Sequence, residues 1–251
     1  MTSFRIDVWG QTDIGKSRSE NQDSIFFASK KFADLGSRQI MENGYLLAVA
    51  DGVGGQIGGR EASQYVVTSL ADAYYALLSD DISSHLQYSI QRANEQAQQQ
   101  VSHKHSASTL VACVIDGDEL HVANVGDSRA YLIRDGVIQQ LTKDHALNGR
   151  LMRYMVALAE ADPEMMPVIK LQSDDKILLC SDGLYRAIPD IRQIATLAAD
   201  YSPEDAARQL VDMANENGGP DNISVVIAHV LNQKPAVSWE RFSMWASNLV
   251  S

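Results

Sequence analysis

"STLVACVIDGDELHVANVGDSRAYLIRDGVIQQLT", Ser108 to Thr142, reads as two β-hairpins in succession. Apolar runs flank the turn at Asp116 to Glu119 and the turn at Asp135 and Gly136, where Asp-Gly supplies the positive backbone dihedrals that tight hairpins require. Consecutive hairpins build an antiparallel sheet. Working outward, "FRIDVWGQTD" from Phe4, "DSIFFAS" from Asp23 and "YLLAVADGVGG", Tyr45 to Gly55, read as strands upstream. "KILLCSD" from Lys176 and "DNISVVIAHVL" from Asp221 add two more downstream. Helical periodicity fills the gaps. Ala62, Val66, Leu70, Ala73 and Leu77 form one stripe, and Leu86, Ile90, Ala93, Ala97 and Val101 form a second, in a helix from about Ser83. Pro189 and Pro203 are expected in the first turns of two more helices, the latter carrying Ala206, Ala207, Leu210, Val211 and Ala214.

Strands and helices therefore come in blocks, which favours an α+β fold with antiparallel sheets over a doubly wound one. Phe32 to Asn43 reads as a loop or hairpin. One domain over residues 1–234 is expected, followed by a tail over 235–251 whose Phe242, Trp245 and Leu249 share one helical face and dock on it.

Composition narrows the class. The chain has 251 residues, a net charge of -11, and 45% hydrophobic and 21% charged residues, the profile of an ordinary globular protein. Nucleic acid is a poor partner for such a surface, because phosphate backbones need clustered Lys and Arg. Cys113 and Cys180 both lie inside apolar runs, which suits buried reduced thiols. No charged segment followed by an apolar core opens the chain, and no window approaches the roughly 18 apolar residues of a membrane span. A cytoplasmic monomer without membrane contact is expected.

Four aspartates stand at ends of apolar runs near glycine: Asp51 in "AVADG", Asp127 in "ANVGDS", Asp182 in "LLCSDG" and Asp221 in "GGPDN". Asp23 in "NQDS" opens a strand in the same way. Where strand ends meet, like charges about 4 Å apart repel by roughly 1–4 kcal/mol per pair. Such a cluster calls for cations. Every candidate ligand is an oxygen, and the six histidines show no paired spacing with each other or with the cysteines, which argues against zinc. Mg²⁺ or Mn²⁺ suits the set. A carboxylate shared by two such ions makes a centre that turns bound water into hydroxide near neutral pH. Arg18, just upstream, is suited to a bidentate grip on phosphate.

"TDIGKSRSENQDS", "AVADGVGGQIGGREAS", "STLVACVI", "VANVGDSRAYLIRDG", "LTKDHA", "LLCSDGL" and "GGPDNISVVI" resemble, in order and spacing, the metal-dependent PPM family, the type 2C Ser/Thr protein phosphatases. The match runs from about Thr12 to Val230, and the bacterial single-domain members look nearest. The resemblance implies a four-layer αββα sandwich, two antiparallel sheets flanked by helices, with a metal centre at one end. It implies two Mn²⁺ or Mg²⁺ ions: Asp51 bridging them, the Gly52 carbonyl on the second, Asp182 and Asp221 on the first. Asp127 with Asp182 matches a weaker third-ion site, Arg18 the phosphate-binding arginine, and Asp23 the acid beside the second ion. Water activated by metal would attack phosphoserine or phosphothreonine without a phospho-enzyme. Phosphorylated proteins are the implied partners, opposing a bacterial Ser/Thr kinase, in some members within type VI secretion regulation.

Three positions depart from the pattern. Gln22 stands where the family often has Glu, "ASTL" at Ala107 replaces Gly-Thr-Thr, and the stretch from His145 to Ser181, which carries a substrate-selecting flap in relatives, is shorter. These departures leave a second reading open, a catalytically weak or silent module that binds phosphoproteins.

Overall fold

In the computed structural model, which describes residues 4–28, 43–53, 55–102, 106–156 and 161–232, the apolar run at Tyr45 becomes a strand paired on both sides. The elements in order are β1 (Phe4–Asp13), β2 (Asp23–Phe27), β3 (Tyr45–Val53), α1 (Gly55–Tyr75), α2 (Ile82–Gln100), β4 (Ala107–Ser108), β5 (Leu110–Asp116), β6 (Glu119–Val125), β7 (Arg129–Arg134) and β8 (Val137–Gln140). Five two-residue strands follow: β9 (Ala146–Leu147), β10 (Arg150–Leu151), β11 (Met155–Val156), β12 (Glu164–Met165) and β13 (Ile169–Lys170). Then come β14 (Lys176–Cys180), α3 (Asp182–Ala187), α4 (Ile191–Asp200), α5 (Pro203–Glu216) and β15 (Ile223–Asn232). One antiparallel sheet has the order β1-β15-β14-β7-β8. The other runs β11-β4-β3-β5-β6-β12, with β2 also on β3 and β13 also on β6.

The strands are apolar on both faces because each sheet is covered twice. Along β3 and β5, Leu46, Ala48, Leu110, Ala112 and Val114 pack under α1 and α2, while Leu47, Val49, Val111 and Cys113 point the other way into the space between the sheets. The second sheet mirrors this: Leu178, Cys180, Val225 and Ile227 meet α3 to α5, and Ile177, Leu179, Val226 and Ala228 meet the first sheet. Period-two alternation of side chains thus divides the interior into three cores and four layers, helix, sheet, sheet, helix. The α+β sandwich expected from the sequence is the observed fold.

Several local expectations are revised. The stripe of α1 runs through Ala62, Val66, Leu70 and Tyr74, and the helix ends at Tyr75, so Leu77 lies beyond it at 53% exposure and Ala73 is only partly buried. The cause is a pair of anchors: Tyr74 and Tyr75 donate their hydroxyls to the carbonyls of Asn43 and Gly44 at 2.8 and 3.2 Å and fix the last turn under β3. Pro203 opens α5 as expected, but Pro189 precedes α4, whose N-cap is Asp190, accepting from the Arg192 N–H at 3.1 Å. Asp135 and Gly136 both take positive φ (52° and 75°), whereas in the earlier hairpin β5 extends through Asp116 and only Gly117 does (57°). Most of Phe32 to Asn43 and the whole of the 235–251 tail lie outside the described residues.

Candidate active site

The strand ends that carry the acids open on one end of the sandwich, around a cavity of about 790 Å³. Arg18, Gln22, Asp51, Gly52, Asp127, Asp182 and Asp221 line it, so of the residues singled out in the sequence only Asp23 stands behind the wall. Asp51 is not at the end of its strand: β3 continues to Val53, and Asp51 lies directly across from Asp23 on β2. Opposed like charges destabilise an antiparallel pair, so nothing in sheet formation favours two carboxylates there.

Backbone hydrogen bonds hold Asp51 from both sides. Its N–H donates to Thr109 Oγ1 at 2.9 Å and its carbonyl accepts from the Thr109 N–H at 2.8 Å. This contact interrupts the strand read from "STLVACVI", leaving β4 and β5 on either side of Thr109. Gly52 is needed for close approach, since a Cβ there would overlap the carbonyl oxygens of Gly59 and Gln22. The Gln22 carbonyl accepts from the Gly52 N–H at 3.1 Å and from Ser63 Oγ at 2.6 Å. Across the cavity, Gly183 serves the same end: a Cβ would strike the carbonyl of Asn222, so α3 and the start of β15 close up only because it is glycine.

Three of the acids are turned onto partners outside the cluster. Asp221 Oδ2 meets Arg18 Nη2 at 2.7 Å, Asp182 Oδ2 meets Arg186 Nη1 at 2.7 Å, and Asp23 Oδ2 accepts from Ser181 Oγ at 2.7 Å. Among the described residues no three His, Cys, Asp or Glu side chains are grouped tightly enough to hold an ion as they stand. The electrostatics nevertheless register one cluster. Burial pushes the Asp51 carboxyl well above the usual range, and the charges of Asp23, Asp182, Asp221 and Asp127 push it further. Burial raises Asp23 to about 7 against the hydrogen bond from Ser181, and raises Asp182 to about 6 against the Arg186 charge. Oδ1 of Asp23 and Oδ1 of Asp182 are buried without a hydrogen-bond partner. All-oxygen donors, mutual repulsion and orphaned buried carboxylate oxygens fit a hard divalent cation.

Three site residues escaped the sequence reading. Asn222 accepts from the Gln22 N–H at 2.9 Å and donates to the carbonyls of Ile14 and Glu20 at 2.9 and 3.0 Å, clipping down the loop that carries Arg18. Ser181 holds Asp23, and Arg186 pairs with two acids. Only Arg186 left a trace, as the fourth residue after Asp182 on a helix.

The sequence and the fold have counterparts among known proteins. The family model described as Protein phosphatase 2C matches residues 16–225. A serine/threonine phosphatase Stp of Listeria welshimeri is 30% identical over 245 residues, covering 86% of this chain and 93% of that protein. The solved catalytic domain of the phosphatase PstP, in complex with two manganese ions, superposes with a TM-score of 0.75 at 29% identity, covering 91% of this chain and 100% of that one. PppA, a regulatory component of type VI secretion in Pseudomonas aeruginosa, shares the fold with a TM-score of 0.76 at 24% identity, covering 92% and 100%. The chain belongs to the protein phosphatase 2C family, the metal-dependent PPM class of serine/threonine protein phosphatases.

Proposed function

We propose that this chain hydrolyses phosphoserine and phosphothreonine in proteins, using two Mn²⁺ or Mg²⁺ ions held by Asp51, the Gly52 carbonyl, Asp182 and Asp221. The observation that carries this is the meeting of those residues with Arg18 on one cavity at the strand ends. When bound, the ions would supply Lewis acidity and a water acidic enough to ionise near neutral pH. The chain's own groups position the rest. Asp221 holds one terminal nitrogen of Arg18, which leaves the remaining donors of that fork for the phosphoryl oxygens. Thr109 and Gln22 fix the backbone of Asp51 and Gly52, so neither ligand can retreat from the phosphoryl group. Asp23 and Gln22 back the second-ion position, and the neutral amide of Gln22 lowers the affinity there. Both cysteines lie in apolar cores with thiol pKa values pushed up by burial, so no thiolate competes with water as nucleophile.

The test is hydrolysis of p-nitrophenyl phosphate with Mn²⁺, repeated with chelator and with Asp51→Ala. Activity that survives both overturns the proposal. Gln22 keeps a second reading in view, a silent phosphoprotein-binding module, which predicts phosphopeptide binding by calorimetry with no release of phosphate. In the cell we place the chain in the cytoplasm as a monomer, residues 1–234 forming the phosphatase domain and 235–251 docking on it, opposing a Ser/Thr kinase. A role in type VI secretion regulation follows from the family resemblance; phosphoproteomes with and without the gene test both roles. Among the described residues no helix is long and apolar enough to cross a membrane.

A further inference from the structure

Arg186 follows Asp182 by one helical turn on α3, so the helix itself carries its side chain back over that carboxylate. Nη1 meets Asp182 Oδ2 at 2.7 Å, and Nη2 meets Asp127 Oδ2 at 3.4 Å. The two carboxylate side chains are 10% and 11% exposed, while the Arg186 side chain is 51% exposed and lines the cavity. One cation therefore spans two buried acids. They are the same two acids that the family resemblance assigns to a weaker third ion.

The span is braced from below. Tyr185, the preceding residue, donates its hydroxyl to the Asp127 carbonyl at 3.1 Å. Its ring lies under the Arg129 guanidinium, 3.6 Å from carbon to centroid, and Arg129 is held by both oxygens of Asp144 at 2.9 and 2.7 Å. These contacts tie α3 to the turn between β6 and β7, which fixes the gap that Arg186 crosses. A guanidinium stays charged at every pH the fold survives, and its planar fork serves two carboxylates at once. A divalent ion entering between the same oxygens would have to displace it and would meet its charge at contact distance.

We infer that Arg186 is a built-in counter-cation occupying the third-ion position, so that the Asp127–Asp182 pair is closed to a divalent metal. The inference rests on the metal-dependent reading above. Its consequence is an enzyme whose third cation neither washes out nor responds to metal supply.

The experiment is Mn²⁺ stoichiometry by equilibrium dialysis with elemental analysis, alongside circular dichroism to verify folding. The full chain should saturate at two ions, and Arg186→Gln at three, the additional ion disappearing when Asp127→Asn is added. A wild-type chain that binds a third ion, lost in Asp127→Asn alone, overturns the inference. So does a folded Arg186→Gln protein that stays at two, and in that case the two-ion reading survives. If neither protein binds Mn²⁺, both readings fall together.

Discussion

Replacing Asp51 by Asn should make the metal-free protein more stable while abolishing its activity. In the absence of metal Asp51 stands across the strand pair from Asp23 and within electrostatic reach of Asp182, Asp221 and Asp127. Each close like-charge pair costs roughly 1–4 kcal/mol. Asn keeps the shape of Asp51 and its backbone bonds to Thr109 but removes the central charge, so a gain of about 2 kcal/mol is a fair expectation at pH 8. In a chain of this size that is roughly 4–8 °C in Tm. The sign with pH follows from the neighbours. Asp23 and Asp182 titrate higher in the folded protein (about 7 and about 6) than the unfolded value of 3.8, so the folded state holds on to more protons. Their stabilising contribution is full below about pH 4 and is lost as pH rises through about 6 to 7. The Tm difference between Asp51→Asn and wild type in chelator should therefore be small near pH 5 and grow toward pH 8. Added Mn²⁺ should raise the Tm of the wild type far more than that of the variant, because binding to the folded state alone stabilises it. Differential scanning fluorimetry across this range, with chelator and with Mn²⁺, reads all of it. A variant that melts at or below the wild type in chelator at pH 8, or a difference that does not change with pH, refutes the reasoning.

Further outcomes follow from single contacts. Arg18→Ala should weaken inhibition by inorganic phosphate by roughly 10–100-fold, the loss of charge-assisted hydrogen bonds worth about 1.5–3 kcal/mol, and an unchanged inhibition constant would remove Arg18 from the phosphate site. Asn222→Ala breaks three hydrogen bonds that clip the Arg18 loop; it should cost about 2 kcal/mol of stability and raise KM for p-nitrophenyl phosphate, and a normal KM would show that the clip does not position Arg18. Leu179→Ala, in the core between the sheets, should cost about 2–5 kcal/mol by chemical denaturation yet leave KM unchanged, since Leu179 does not line the cavity.

What could be read in advance divides along a physical line. A strand covered on both faces must be a continuous apolar run, and the chain that leaves it at a site must present a polar group and let backbone pass closely. Asp51, Asp127 and Asp182 show that signature, run then carboxylate beside glycine, Asp221 shows it in reverse, after two glycines and a proline and ahead of its run, and all four line the cavity. The hairpins were readable for a similar local reason, because Asp135 and Gly136 need only the four residues of their own turn. Asn222 and Ser181 had no such local cause. Their partners lie 200 and 158 positions away, at Gln22 and Asp23, and nothing periodic connects residues that meet only after two sheets have stacked. The end of α1 failed for the opposite reason: the apolar spacing runs on to Leu77, but two tyrosine hydroxyls bonded to Asn43 and Gly44, 31 residues back in the chain, stop the helix under β3. Arg186 stands between these cases. Its bond to Asp182 is a four-residue helical interval and was open to prediction, whereas its reach to Asp127, 59 residues earlier, required the fold. The local half of that contact puts a cation in the cleft, and the distant half sets it between two acids, so its effect on metal binding could be argued only once both halves were in view.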